Sequence, residues 1–227
     1  MSKSFIPAHP AAFEFDIIET AVVIVDMQKD SLTPGGYGEY LGNDIAVLRG
    51  VIEPISNLVK LWRGLRLPII HTREGHKPDL SDCPPTKLLR RLEGRRIGDP
   101  GPMGRIMIIG EPGQSIIDEL KPAPGEIAID KTGKNGFMKT NLEGVLRSIR
   151  AKTLLIVGIA TESAVLATVT GASDLGFNPV VLQDCVASSI PARHKAALEI
   201  ITAQGGNFGW VTSSSHIMET LQAMQVR

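Results

Sequence analysis

The chain is predicted to fold as an α/β protein: three layers, α/β/α, around a central, mostly parallel six-stranded sheet. Three observations predict it. Short apolar runs recur along the chain, and each is followed by a stretch with helical spacing. The runs are rich in Val, Ile and Leu without polar alternation, as in strands covered on both faces. A length of 227 residues suits one domain with a full core, so a single domain over 1–227 is expected.

The elements follow in order. Ala21-Val22-Val23-Ile24-Val25 runs into Asp26 and predicts a strand over 21–26, with helical spacing over 44–65 after it. Leu67-Pro68-Ile69-Ile70-His71-Thr72 predicts the second strand, 67–72. The rhythm then breaks. Residues 74–125 are rich in Pro, Gly and charge, as in Asp82-Cys83-Pro84-Pro85 and Gly98-Asp99-Pro100-Gly101-Pro102. That is too long for a simple connection, and excursions of this kind carry binding loops or interfaces. The strand pattern resumes at 126–130, 153–158, 178–183 and 207–212, with helices expected at 140–150, 162–175, 191–203 and 215–225. Because the same pattern continues, the excursion is read as part of one domain rather than as a linker.

Composition excludes several classes. Lys plus Arg and Asp plus Glu both number 24, which leaves no electrostatic case for nucleic acid or an anionic membrane. The basic cluster Arg90-Arg91-Leu92-Glu93-Gly94-Arg95-Arg96 has no interleaved aromatics to stack on bases, so it is expected to decorate a solvated loop. The N-terminal segment Met1-Ser2-Lys3-Ser4-Phe5-Ile6-Pro7 lacks the continuous apolar core of a signal peptide, and no apolar run is long enough to span a bilayer. Two cysteines, Cys83 and Cys185, give no disulfide framework. A cytoplasmic protein is expected.

Three candidates for chemistry fall at predicted strand ends, where the site of a parallel sheet lies. They are Asp26, Lys131 (after Glu126-Ile127-Ala128-Ile129-Asp130) and the strand-to-helix turn Gly158-Ile159-Ala160-Thr161-Glu162-Ser163-Ala164-Val165. Each has an ordinary structural role: a loop cap for the Asp, a solvated end for the Lys, a helix former at Ala164. The combination is what points to a crevice. An acid, a base and a helix N-terminus make a hydrolase site that lacks only an attacking atom.

These residues resemble the isochorismatase-like cysteine hydrolases over about 21–211. The resemblance is carried by Val25-Asp26-Met27-Gln28, by Asp130-Lys131 with Gly136-Phe137 and Thr140, by the 158–165 turn, and by Asp184-Cys185. It implies a Cys-Asp-Lys triad at position 164, Asp26 and Lys131. It also implies an oxyanion hole from the backbone N–H groups of Ala160 and Ala164, and a non-proline cis bond at Ile159-Ala160. The implied reaction needs no cofactor and no metal: a thiolate attacks an amide carbonyl, backbone donors hold the oxyanion, and the Asp carries the proton.

The departure from the pattern is Ala164, where the resemblance calls for Cys. With Ala the first step cannot occur, although the pocket can still bind. The chain is then either a disabled form of an active amidohydrolase or a naturally silent homologue that binds a ligand or acts as a scaffold. No other residue replaces the thiol. Ser163 is turned about 100° away in an α-helix, Cys185 reads as a buried small hydrophobe, and Cys83 has no recognisable base beside it.

Within that family the nearest resemblance is to biuret amidohydrolase and related ureide-cleaving enzymes. It rests on His71-Thr72-Arg73-Glu74-Gly75-His76-Lys77-Pro78-Asp79-Leu80, Ile97-Gly98-Asp99-Pro100-Gly101-Pro102 and Gly110-Glu111-Pro112-Gly113. It implies a small amide or ureide substrate, biuret-like, with ureidoacrylate as the alternative. The carboxylate of ureidoacrylate would take Lys131 or a loop Arg. Gln204 stands at a position where a side-chain amide would pair with a ureide, or else is a polar helix end before Gly205. Tyr37 and Phe137 are placed near the mouth. His71 and His76 are read as hydrogen-bonding loop anchors rather than metal ligands, for no Asp-x-His is present. Arg73 and Glu74 are read as an internal ion pair shaping the loop. A nucleotide-binding reading fails, because no Gly-x-Gly-x-x-Gly follows Val25. A homo-oligomer, tetrameric by resemblance, is expected.

Overall fold

The computed structural model describes residues 4–90 and 93–225. Met1, Ser2 and Lys3 of the N-terminal segment, and Arg91 and Leu92 of the basic cluster, lie outside the described residues. Six strands form one sheet: β1 Thr20–Val25, β2 Ile69–Glu74, β3 Ile127–Lys131, β4 Thr153–Ile159, β5 Asn178–Ala187 and β6 Trp210–Thr212. Their spatial order is β6-β5-β4-β1-β2-β3, and every neighbouring pair is parallel.

Alternation along the strands builds the two outer layers. Val22 and Ile24 of β1 join a core with Ile55, Leu58 and Trp62 of α1 (Ile52–Gly64) and Ile217 and Leu221 of α5 (Ser214–Gln225). Ala21, Val23 and Val25 face the other way, toward Leu142 and Leu146 of α2 (Leu142–Ser148), Val169 and Ala172 of α3 (Leu166–Asp174), and Ile201 of α4 (Pro191–Gly206). The six-stranded, three-layer architecture is the one the sequence predicts.

The helix expected over 44–65 is two, Ile45–Arg49 and Ile52–Gly64. Pro54 has no N–H, and its ring would meet the carbonyl of Gly50 in a continuous helix. The chain therefore stops near Gly50 and restarts with Pro54 in the first turn. The sequence reading also passed over a short antiparallel pair, Ser4–Ile6 with Phe13–Phe15, docked beside β6 through reciprocal backbone bonds between His9 and Val211. The 74–125 excursion holds only short pieces, among them the turn of helix Pro85–Leu88 and a two-residue ladder, Pro100–Gly101 with Gly104–Arg105.

The strand order has one consequence for the site. The chain runs outward from β1 to β2 to β3, then crosses back to place β4 on the other side of β1. The carboxyl ends of β1 and β4 therefore flank a topological switch point, where open parallel sheets have a crevice. No helix among the described residues is long and apolar enough to cross a membrane.

Candidate active site

Asp26 follows the last residue of β1, and its backbone turns left-handed there (φ +52°). Among L-residues Asp is one of the few that tolerates this conformation, and such outliers gather at functional sites. Opposite it, Gly158 of β4 is at φ +115°, and a Cβ on it would collide with the Val25 carbonyl. Only Gly permits this approach of β4 to β1. The peptide bond Ile159–Ala160 is cis, and Thr161–Val165 forms a π turn that leads into α3. Single π turns recur at functional sites.

Lys131 ends β3, two strands away from Asp26, yet its side chain reaches across. Its Nζ donates to Asp26 Oδ2 at 2.7 Å and to the Gly133 carbonyl at 2.8 Å. Thr72 Oγ1 donates to Asp26 Oδ1 at 2.9 Å. The Lys131 residue is 1% exposed and Asp26 7%, so this ion pair is desolvated. Burial pushes the Asp26 carboxyl above its ordinary value, with Lys131 opposing and Glu74 adding to the rise. A raised carboxyl that still touches an ammonium is suited to accept and return a proton.

Asp26, Ile159, Ala160, Ser163 and Ala164 line one cleft of about 440 Å³. Further lining comes from outside the sheet: Gln28, Asp30, Tyr37, Asn43 and Met107 from connecting segments, and Arg193 from the first turn of α4. Glu74, Lys134 and Glu162 line it as well. Glu74 is 2% exposed and pairs with Lys87 (3.0 Å) and with the half-exposed Lys134. Its burial works to raise the carboxyl, but Lys134, Lys131 and Lys87 outweigh that and hold it at about 2. Lys87 also donates to the Thr132 carbonyl and meets His76 Nε2 at 2.9 Å. The excursion is thereby bolted to the end of β3.

The sequence-predicted site residues divide. Asp26, Ala160, Ala164 and Tyr37 line the cleft, and Lys131 reaches it through Asp26. Tyr37 is buried and its hydroxyl donates to the Arg95 carbonyl at 2.7 Å. Phe137 does not line the cleft; it stacks on Phe177 at 5.9 Å and packs with the α2–α3 core. Gln204 does not line it either. It is exposed at the kinked end of α4, at φ +53° before Gly205, whereas only the opening turn of α4 reaches the cleft, through Arg193. Of the two readings of Gln204, the geometry fits the helix end.

Arg73 and Glu74 do not pair. Arg73 forks onto Asp130 (2.8 and 2.9 Å), and Glu74 takes the lysines. Neighbouring residues of a strand point to opposite faces, so the expected pair was sterically barred. Ser163 also departs from expectation: it lines the cleft beside Ala164, because the turn there is π rather than α. Arg95 is packed rather than solvated, its guanidinium 4.5 Å from the Tyr40 ring centroid. The histidines are anchored as read, His71 on Glu126 at 3.0 Å and His76 on Asp82 at 3.2 Å. Cys185 is fully buried, and burial pushes its thiol up; Cys83 is buried with Ile97 and Ile108.

The lining residues not singled out from the sequence include Asp30, Met107, Lys134 and Arg193, with Glu162 inside the 158–165 turn itself. Asp30 lies four residues beyond Asp26, in the short helix Lys29–Leu32, and burial raises its carboxyl. That spacing, and the nearness of Lys134 to Lys131 and of Glu162 to Ala164, were signals available in the sequence. For Met107 and Arg193 there was none.

The family model described as the isochorismatase domain matches residues 20–215. The chain is 33% identical over 187 residues to ureidoacrylate amidohydrolase RutB of Rhizobium rhizogenes, across 79% of this chain and 74% of that protein. It is 29% identical over 231 residues to ureidoacrylate amidohydrolase RutB of Caulobacter segnis, across 98% and 94% respectively. Among crystal structures, a cysteine hydrolase from Pseudomonas syringae pv. phaseolicola shares the fold with a TM-score of 0.80 at 22% identity, over 98% of this chain and 99% of that one.

Proposed function

The chain belongs to the isochorismatase family, and from that premise we propose that its cleft is built to hydrolyse a C–N bond of a small ureide, with its nucleophile missing at Ala164. One observation carries the reading. Asp26, buried and paired with Lys131, and Ala164, on the first turn after β4, line the same cleft at the switch point of the sheet.

The geometry suits the following sequence when a thiol occupies position 164. Lys131 and the helix N-terminus favour the thiolate, and Asp26 takes the thiol proton. The sulfur bonds to the substrate carbonyl carbon while the oxyanion lies against the backbone N–H groups of Ala160 and residue 164. Asp26 returns the proton to the leaving nitrogen, the C–N bond breaks, and a thioester remains. Water then gives a proton to Asp26 and attacks that carbon. The C–S bond breaks, and the thiol recovers its proton. With Ala164 the cleft binds its ligand and stops there.

Biuret is the proposed substrate, because carboxylates dominate the cleft: Asp26, Asp30, Glu74 and Glu162 line it, against Lys134 and Arg193. A neutral molecule rich in N–H donors complements that surface. An acidic ureide is the second reading. It is favoured by the exposed Arg193 at the rim and by the ureidoacrylate-cleaving relatives.

The test is release of ammonia from biuret, and consumption of ureidoacrylate, by this chain and by its Ala164→Cys variant. The variant is expected to turn over biuret with kcat/KM at least 10³-fold above the unsubstituted chain. Preference for ureidoacrylate would move the assignment to the acidic ureide. Failure of both substrates with a folded variant would overturn the hydrolase reading in favour of a binding protein.

A further inference from the structure

The turn that carries Ala160 and Ala164 is closed by its own backbone and tied from outside by side chains. The Ala160 carbonyl accepts from the N–H groups of Ser163 (3.0 Å) and Val165 (3.2 Å), and the second of these is the π bond. Two consecutive residues of the turn then reach the start of α4. Thr161 Oγ1 and His194 Nδ1 meet at 2.9 Å, and Glu162 Oε1 accepts from Ser188 Oγ at 2.9 Å. On the far side, the Ile190 N–H donates to Ser188 Oγ (3.1 Å) and the His194 N–H donates to the Ile190 carbonyl (3.2 Å). The bonds therefore form a closed ring: from Thr161 through His194, Ile190 and Ser188 to Glu162, the next residue of the chain.

His194 is the member of that ring without a substitute. Thr161 is fully buried, and its hydroxyl has no other hydrogen-bond partner among the described residues. A buried hydroxyl left alone is costly, so the imidazole decides which way Thr161 turns. Burial holds the ring below its ordinary value of 6.5, with Glu162 opposing. It is therefore neutral at neutral pH, and Nδ1 can take the hydroxyl proton or give its own. Single π turns are rare within helices, and here the bonds from outside are what support one.

We propose that His194 is a positioning residue: by holding the Thr161 hydroxyl it fixes the π turn and so aims the N–H groups of Ala160 and residue 164 at the ligand's carbonyl oxygen. The inference rests on the reading of this turn as the oxyanion-holding part of the cleft. His194 acts through Thr161, which follows Ala160 directly and opens the turn that contains position 164. Donors that stabilise a developing oxyanion work through their direction. A turn that slackens loosens both of them at once.

The experiment compares His194, His194→Phe and His194→Asn, each with Ala164 in place and in the Ala164→Cys form. Phe keeps a ring and excludes water but offers no hydrogen bond, whereas Asn places an amide close to where Nδ1 stands. Native-state amide exchange with Ala164 in place reads the turn without any turnover. Exchange at Ser163 and Val165 should quicken about tenfold or more in His194→Phe and return toward the unsubstituted rate in His194→Asn. Leu155 and Ile156 of β4 should not change. In the Ala164→Cys form, His194→Phe should lower kcat roughly 10–100-fold on whichever ureide is cleaved, with KM little moved, and His194→Asn should recover most of it. Unchanged exchange at Ser163 and Val165 in His194→Phe would overturn the assignment. Equally quickened exchange in β4 would do so too, because His194 would then support the fold as a whole. If the Ala164→Cys form cleaves no ureide, the hydrolase reading falls, and the exchange rates still decide whether His194 holds the turn.

Discussion

The two walls of the cleft are made by different means. One wall is the end of the sheet: Asp26 after β1, Lys131 at the end of β3, and the turn from Ala160 to Ala164 after β4, all held by strand register. The other wall is assembled from outside the sheet, with Asp30 and Tyr37 from the connection after β1, Met107 from the 74–125 excursion and Arg193 from the first turn of α4. The first wall fixes the proposed chemistry to the most rigid part of the molecule. The second shapes what can enter and is held by isolated backbone bonds, such as Lys29 N–H to the Ser115 carbonyl (2.8 Å) and His76 N–H to the Met107 carbonyl (2.8 Å), together with side-chain hydrogen bonds. Gln28 is the main bolt, donating to the carbonyls of Glu74 (2.9 Å) and Gln114 (3.0 Å) and accepting from Glu74 N–H (2.8 Å). A fold that separates the two can change its substrate by changing loops while keeping its reacting groups in place.

That contrast is open to direct attack. The largest expected stability effect is on the sheet wall. Lys131→Met leaves the buried Asp26 carboxylate without its ammonium and should cost about 3–5 kcal/mol. The double variant Asp26→Asn/Lys131→Met should recover part of this, because the uncompensated charge is gone. Urea unfolding of the three proteins reads both numbers. A loss below about 1 kcal/mol in the single variant would show that the pair is solvated and not the centre of the site.

A smaller effect is expected on the loop wall. Gln28→Ala strands one buried N–H and two carbonyls and should cost about 2–3 kcal/mol. In the Ala164→Cys background it should raise KM more than it lowers kcat, since it loosens the loop wall and leaves the reacting groups alone. Steady-state kinetics checks the split; an equal fall in kcat and kcat/KM would erase the distinction between the walls.

The response to acid is a separate effect, spread over several groups of opposite sign. Glu74 and Glu126 are both held at about 2, below their ordinary 4.5, by neighbouring cations and hydrogen bonds that outweigh burial. The unfolded chain therefore binds more protons, and the stability these groups supply is complete above about 4.5 and lost as pH falls toward 2. Asp26 and Asp30 run the other way, because burial raises them above 3.8 and ionisation then costs stability as pH rises. The expected result is a steady fall in stability from pH 4 to pH 2, shallower in Glu74→Gln. A flat profile over that window would remove the Glu74 cluster as a support of the loop wall.

The same contrast explains what was legible in the sequence. Apolar runs announce all six strands, although β3, at the sheet edge, is exposed at Ile127 and Ala128 rather than covered on both faces, and the strand register carries Asp26 and the 160–164 turn to one crevice. Lys131 is legible as a strand end, but its reach across β2 to Asp26 is not, since that depends on the space the neighbouring side chains leave. Phe137, Gln204 and the Arg73–Glu74 pair were misjudged for a related reason. Nearness in sequence to a motif does not fix which face a side chain takes: Phe137 turns into the core, and Gln204 is carried away by the length of α4. The loop wall was illegible because its residues come from connections without periodicity, assembled by long-range bonds such as those of Gln28.

The central claim is that the cleft is arranged to hold a thiolate at position 164. The direct measurement is the pH dependence of alkylation of the cysteine in Ala164→Cys, read on the peptide containing residue 164 so that the buried Cys83 and Cys185 do not contribute. With Lys131 beside Asp26 and the helix N-terminus at the turn, the account predicts a thiol pKa well below the ordinary value of about 8.5. A pKa at or above that value would mean that burial alone governs the position, and the site would then not be the nucleophile pocket of a hydrolase.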